Sequence, residues 1–389
     1  MKFVSLGTLV RSAIKTARSI EYGTLRLTTP KGTQVTFTGK QQGPDAQITL
    51  RDWKVVRRLL SRGDIALGED YVDGTWDSEN IENLMTFFLL NLEHFEKYVH
   101  GNAFSRIVFS TYNRFIKRNS KSGSRRNIKI HYDVGNEFYK LWLDDSMTYS
   151  SALFGSEPHT LEEAQHAKYQ RILQRLGGNV SSLLEIGCGW GGFAEEAAGK
   201  IDNLKCLTLS SAQLEYAKKR LNNRADILLQ DYRNMRSSFD AIVSIEMFEA
   251  VGERYWPEYF RVLARNLKRN GKAVVQTITI RDELFADYRK RSDFIRHYVF
   301  PGGMLPSLQR FRAEAAKAGL KCNDVFTFGQ DYAQTLRVWN MRFEACLDDV
   351  RRLGYDESFI RNWRFYLNYC AAAFAVGRTN VAQIELVHV

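Results

Sequence analysis

Residues 183–192 read Leu183-Leu184-Glu185-Ile186-Gly187-Cys188-Gly189-Trp190-Gly191-Gly192. A short apolar run that ends in closely spaced glycines marks a buried strand entering a tight turn, and a helix is expected from Phe193 to Ala198. Glycine lets the backbone adopt positive φ and approach a ligand closely. In an open α/β sheet such a turn lies at the carboxyl edge, where ligands bind. The spacing is G-x-G-x-G, not the dinucleotide pattern G-x-G-x-x-G, and no P-loop Lys-Ser/Thr follows.

Strand–helix alternation extends on both sides of this loop from about residue 130. Cys206–Leu209 reads as the next strand and Ala212–Leu221 as its helix. Ile227–Leu229, Ala241–Val243 and Ala273–Val275 read as further strands. From Leu308 the pattern is mostly helical, closing on a strand from Ala382 to Val389. Glu185 before the first glycine, Thr208 ending the second strand and Asp231 after the third suit a nucleoside with a charged amino-acid tail. That ligand is S-adenosylmethionine.

Upstream the pattern changes. Residues 23–50 alternate as short strands around a Pro30-Lys31-Gly32 turn, and helical spacing follows from Trp53 to Leu60 and from Ile81 to Phe115. Residues 1–115 are therefore expected to form a small α+β domain. Within it, residues 1–20 form an amphipathic helix: Leu6, Leu9, Val10, Ala13, Ile14 and Ala17 share one face, and the charges Lys2, Arg11, Lys15 and Arg18 are all positive. Such a helix suits an anionic membrane surface, and equally a core helix with one solvated side. Arg114, Lys117, Arg118, Lys121, Arg125, Arg126 and Lys129 follow with no acid among them. Residues 116–130 read as a basic linker, and 131–389 as the second domain.

The composition sets outer limits. Of 389 residues, 44% are hydrophobic and 25% charged, which excludes a wholly disordered chain. The five cysteines show no CxxC spacing, so no zinc site is expected and a reducing cytoplasmic setting is. No apolar run reaches about 18 residues, so no membrane-spanning helix is expected. Ser5, Gly7 and Thr8 stand where a secretory signal would be apolar. The net charge is +11, with most of the excess in residues 1–126. An anionic partner surface, nucleic acid or membrane phosphate, would explain it, as would a solvated basic face.

Several blocks resemble the cyclopropane-fatty-acyl-phospholipid synthase family, which includes the mycolic acid cyclopropane synthases. They are His131 to Tyr139, Met147 to Ala152, the glycine loop, Leu207 to Gln213, Gln230 to Arg233, Met247 to Gly252, Phe300 to Pro306 and Tyr366 to Ala371. Leu67 to Trp76 resembles a block of the family's N-terminal domain. The resemblance implies a Rossmann-like class I methyltransferase α/β sheet with helical additions, beside the small N-terminal α+β domain. It implies transfer of the S-adenosylmethionine methyl group to an acyl-chain double bond, docking on phospholipid at the inner face of the membrane, and a homodimer. Tyr149 and Ser150 would hold the methionine end, Gly187, Gly189 and Gly191 would line the ligand, and Thr208 and Gln213 would reach the ribose. Asp231 and Tyr232 would lie on the adenine side.

An alkene attacking the sulfonium methyl leaves a carbocation, which calls for apolar walls, aromatic faces and a base. Loss of a proton from the new methyl closes a cyclopropane, whereas loss from a neighbouring carbon gives a methylated alkene. The resemblance implies a bound bicarbonate as that base, cradled at Ser151, Glu249, Gln276, Ile278 and Tyr332. Ser151 and Gln276 depart from the family's Cys and His, so ring closure and a branched or further unsaturated product both stay open. Glu249 is the expected catalytic acid, with pairing to Arg254 as its structural alternative, and Glu246 is a neighbour of the site. Cys370 matches a cysteine long regarded as the family's active-site residue, although nothing in this chemistry needs a thiolate. A nucleic-acid methyltransferase is the rival function, and the chain lacks the Asp/Asn-Pro-Pro-Tyr/Phe motif of exocyclic-amine enzymes. A second rival is a lipid-binding relative without activity, against which the intact glycine loop, Glu249 and Tyr332 argue.

Overall fold

The computed structural model describes residues 6–99, 134–155 and 159–389. The expected basic linker and His131 lie outside the described residues. The chain divides into two compact units that are not consecutive in sequence. One combines Met1–Ile116, Asp287–Val299 and Leu347–Arg378, and the other Lys117–Ala286, Phe300–Cys346 and Thr379–Val389.

The first unit holds a four-stranded sheet of β1 (Tyr22–Thr28), β2 (Gln34–Thr38), β3 (Gln41–Leu50) and β4 (Trp76–Asp77), in the order β2-β1-β3-β4. The Pro30-Lys31-Gly32 turn joins β1 to β2 in an antiparallel hairpin. Leu25 and Leu27 face the core while Arg26 faces out, the period of two that the sequence carries. The amphipathic segment forms a helix over Leu6–Ala17.

The long helical pattern after Ile81 is broken at Asn91 into Ile81–Leu90 and Leu92–Val99. Asn91 is buried. Its Oδ1 accepts from the backbone N–H groups of Glu21 (2.8 Å) and Tyr22 (3.0 Å), and its Nδ2 donates to the carbonyls of Tyr22 (2.9 Å) and Phe87 (3.0 Å). One side chain thus ends a helix and ties it to β1.

The helix Glu357–Ala375, read as part of the second domain, belongs to this unit instead. Its Ile360, Phe365 and Leu367 are buried. Phe365 packs on Tyr71 with ring centroids 5.7 Å apart, and Arg361 donates to the carbonyls of Tyr71 and Trp76.

The second unit is built on seven strands: β5 (Ser182–Ile186), β6 (Asn203–Thr208), β7 (Asp226–Leu229), β8 (Phe239–Ile245), β9 (Leu267–Ile280), β10 (Leu320–Thr327) and β11 (Thr379–His388). Their order is β10-β11-β9-β8-β5-β6-β7. The pairs among β5 to β9 are parallel, and β11 runs antiparallel to both β9 and β10. β5 is buried along its whole length, and the loops after β5 and β8 leave the same edge of the sheet. β10 lies at the sheet's end within a stretch that reads as helical. Only Leu320 is fully buried, and Lys321, Asn323 and Thr327 are exposed, so its alternation is weak.

No helix among the described residues is long and apolar enough to cross a membrane. Replacing Asn91 by Ala strands backbone donors and acceptors that the amide now satisfies. The expected cost is roughly 2–4 kcal/mol, from about 1–3 kcal/mol per buried group left unpaired, read as a lower urea midpoint; an unchanged midpoint would show that water replaces the amide.

Candidate active site

The glycine loop is fastened before it turns. Both Gly187 and Cys188 donate their N–H groups to the Leu207 carbonyl of β6 at 2.9 Å. Gly187 and Gly189 have φ of +83° and +53°, a region that costs other residues strain. A Cβ on Gly187 would lie 2.9 Å from the Met247 side chain, whereas one on Gly189 would meet nothing within 4 Å. Gly187 is therefore a close approach between two loops, and Gly189 borders open space.

Glu185 is buried just before the loop, and its Oε2 has no hydrogen-bond partner among the described residues. Burial pushes its carboxyl up to about 8. A buried carboxyl with one unpaired oxygen beside open backbone fits a ligand carrying donors and a positive charge, as S-adenosylmethionine does.

The other expected cofactor residues fall around this edge. Thr208 donates its hydroxyl to Gln213 Oε1 at 3.0 Å. Asp231 is gripped within its own turn, by Arg233 Nε at 2.8 Å and Nη2 at 2.6 Å. The Tyr232 ring meets Tyr259 edge-on at 5.6 Å. Tyr149 packs against Tyr139, Trp142 and Trp339. Ser150 accepts from the Lys168 ammonium at 2.6 Å.

Beyond β8 the chain makes a tight turn through Glu246, whose φ is +48°. A non-glycine residue held there marks a constraint set by its surroundings. The Glu246 carboxylate accepts three hydrogen bonds: from the Ser151 N–H and Gln276 Nε2 on Oε1, both 2.8 Å, and from the Tyr332 hydroxyl on Oε2 at 2.7 Å. Ser151 thus contributes backbone, and its hydroxyl turns away to the Ala152 carbonyl. Serine in place of cysteine leaves that contact intact.

Glu249 accepts on Oε1 from the Thr277 hydroxyl at 3.0 Å and from the Ile278 N–H. The Arg254 guanidinium lies over the Tyr255 ring. Glu249 Oε2 is buried and has no partner among the described residues. Burial, and next the charge of Glu246, push the Glu249 carboxyl up to about 8. Burial also raises Glu246, but its three donors and Lys168 oppose that rise. Burial thus raises both carboxyls, and Glu249, with donors on one oxygen only and the charge of Glu246 beside it, is the readier of the two to hold a proton.

Lys168 and Trp339 complete the site, and neither was singled out from the sequence. Lys168 is fully buried, and burial lowers its ammonium to about 7 while the charges of Glu246 and Asp144 pull it up. A signal was present: Lys168 interrupts the buried stripe Leu161, Ala164, Ile172 and Leu176 of its helix. Trp339 lies between Tyr149 and Tyr332, at 5.3 Å and 6.2 Å. It thereby joins the cofactor-side aromatics to the acid pair. Cys370 belongs to the first unit. Loss of hydration around its sulfur, then the charge of Asp293, raise the thiol's pKa, which disfavours the thiolate.

Comparison with known proteins identifies the family. Residues 119–384 match the family model for mycolic acid cyclopropane synthetase. The tuberculostearic acid methyltransferase UfaA1 of Mycobacterium tuberculosis is 34% identical over 347 residues, 86% of this chain and 81% of that one. The cyclopropane-fatty-acyl-phospholipid synthase of Escherichia coli is 35% identical over 334 residues, 85% of this chain and 84% of that one. The solved structure of mycolic acid cyclopropane synthase CmaA1 complexed with SAH and CTAB aligns with a TM-score of 0.63 at 32% identity. That match covers 67% of this chain and 97% of the other.

The raised Glu249 carboxyl has a consequence for stability. A carboxyl raised from 4.5 to about 8 by folding stabilises the fold fully below its unfolded value, and that contribution is lost as pH rises through about 8. Thermal melts across this window should therefore show wild-type stability declining with pH, and less so in Glu249→Gln. Parallel profiles would mean that Glu249 is already ionised.

Proposed function

The chain belongs to the mycolic acid cyclopropane synthetase family and is an S-adenosylmethionine-dependent methyltransferase; from that premise we propose that it methylates the double bond of an unsaturated phospholipid acyl chain and closes the resulting cation to a cyclopropane. The single observation that carries this reading is the contact between two loops. Met247, between the two acids, packs against Gly187 of the cofactor loop. The base is thereby held beside the place where a methyl group would be delivered.

When bound, S-adenosylmethionine supplies an electrophilic methyl group. The chain's own residues do the rest. The glycine loop and Glu185 receive the nucleoside and its charged tail. The aromatic faces of Tyr149, Tyr332 and Trp339 favour positive charge on the hydrocarbon and keep water out. The acid pair accepts the proton that the alkylated chain must lose.

A second reading is methylation without ring closure, giving a branched or further unsaturated chain. The Gln276 departure favours it, as does the relative named tuberculostearic acid methyltransferase. The two products differ only in which C–H bond the base breaks. The net charge of +11 and the basic helix Leu6–Ala17 support docking on anionic phospholipid, which salt should weaken.

Incubation with S-adenosylmethionine and unsaturated phospholipid vesicles tests both products. Proton NMR of the released chains should lose olefinic signals and gain cyclopropane methylene signals. Retained olefinic signals with a new methyl branch would select the second reading, and no methylated lipid would refute both. Glu249→Gln, which removes one carboxyl of the pair and leaves Glu246 in place, should lower turnover while leaving S-adenosylhomocysteine binding within about twofold. Undiminished turnover would remove Glu249 from the mechanism.

A further inference from the structure

A bicarbonate base does not fit this site, and the misfit is informative. The donors that would cradle it, the Ser151 N–H, the Gln276 amide and the Tyr332 hydroxyl, all end on the Glu246 carboxylate. We infer that Glu246 is the reaction's built-in base: a side-chain carboxylate seated in a cradle for a small planar anion, so that no exogenous carbonate-class anion is needed or admitted. The inference rests on the alkene-methylation reading for its chemistry, though not for its geometry.

Three observations carry it. First, the direction of the hydrogen bonds is fixed from outside the cradle. Arg171 has only donors, so its 2.6 Å contact requires Gln383 to present Oε1. Gln383 Nε2 then faces Gln276 Oε1 at 3.1 Å, and Gln276 must turn its NH₂ to Glu246. A glutamine so oriented serves an acceptor and cannot itself take a proton.

Second, the backbone is committed to this placement. Glu246 holds φ at +48°, and its N–H donates to the Gln276 carbonyl at 2.8 Å. The same β9 residue thus fixes both the main chain and the side chain of Glu246. Third, a buried cation favours the carboxylate: the charge of Lys168 pulls Glu246 toward its ionised form. A second anion in the cradle would meet that carboxylate in a buried site whose three donors it already occupies.

The step balances without another reactant. The alkene's π pair forms the new carbon–methyl bond as the sulfur–methyl bond breaks, with its electrons staying on sulfur. Glu246 then takes a proton from the carbocation, and the pair of the broken C–H bond closes the ring, or forms the C=C bond in the branched product. A carbocation's C–H is acidic enough that position, not base strength, decides the outcome.

The test has two arms. Carbon-13 NMR of labelled bicarbonate should show no saturable binding to wild type and saturable binding to Glu246→Gly, a substitution that suits the positive φ. Thermal melts and S-adenosylhomocysteine binding verify the fold, with Glu246→Gln as the shape-preserving variant. In the methylation assay, wild-type rate should stay within about twofold in bicarbonate-depleted buffer. Glu246→Gly should lose about 100-fold or more and recover with added bicarbonate or formate, while Glu246→Gln should be inactive. Saturable bicarbonate binding to wild type, a rate that collapses on depletion, or a fully active Glu246→Gln would each overturn the inference. If no lipid is methylated under any condition, the proposed function fails, and the NMR arm alone decides whether Glu246 fills the cradle.

Discussion

Two carboxyl groups in one dry pocket cannot both carry charge without donors or cations to meet them, and this constraint organises the second unit. Glu246 receives three donors, and Lys168 is buried near enough to offset its charge. Glu249 has two donors on one oxygen and none on the other. The difference in hydrogen bonding separates their roles. Donors favour charge on Glu246, and their lack leaves Glu249 the readier to hold a proton. Removing a donor from Glu246 would not weaken a single contact alone, because it would shift the proton between the two.

The parallel sheet brings this pair to the cofactor edge. β5 and β8 are neighbours, so the loops that follow them emerge side by side. The glycine loop follows one, and the acid turn follows the other. β9 then supplies Gln276, Thr277 and Ile278, which reach both acids from the next strand. Two adjacent parallel pairings therefore assemble the site from segments far apart in sequence.

The sheet was legible because its strands are apolar runs punctuated by glycine, and the expected fold class is the one found. Glu249 was legible as a member of a local block, Met247 to Gly252. What sequence could not supply was non-local. The helix Glu357–Ala375 carries an apolar face with no mark of the unit it joins, and only its contacts with Tyr71 and Trp76 decide. β10 escaped because an end strand whose better-covered face is mostly half-buried shows only a weak period of two. Glu246 drew little weight because its value lies in donors contributed by Ser151, Gln276 and Tyr332, none of them near it in sequence. Lys168 was one basic residue among 55 Lys and Arg, and its apolar stripe was the sign passed over.

The proton on Glu249 can be observed directly. An infrared difference spectrum of wild type minus Glu249→Gln at neutral pH isolates the C=O stretch of that one carboxyl group. The account predicts a protonated-carboxyl band, at the high frequency of a group with few hydrogen bonds, present in wild type and absent from the variant. A difference spectrum showing only a carboxylate band would mean that both acids are ionised, and would contradict the division of labour between them.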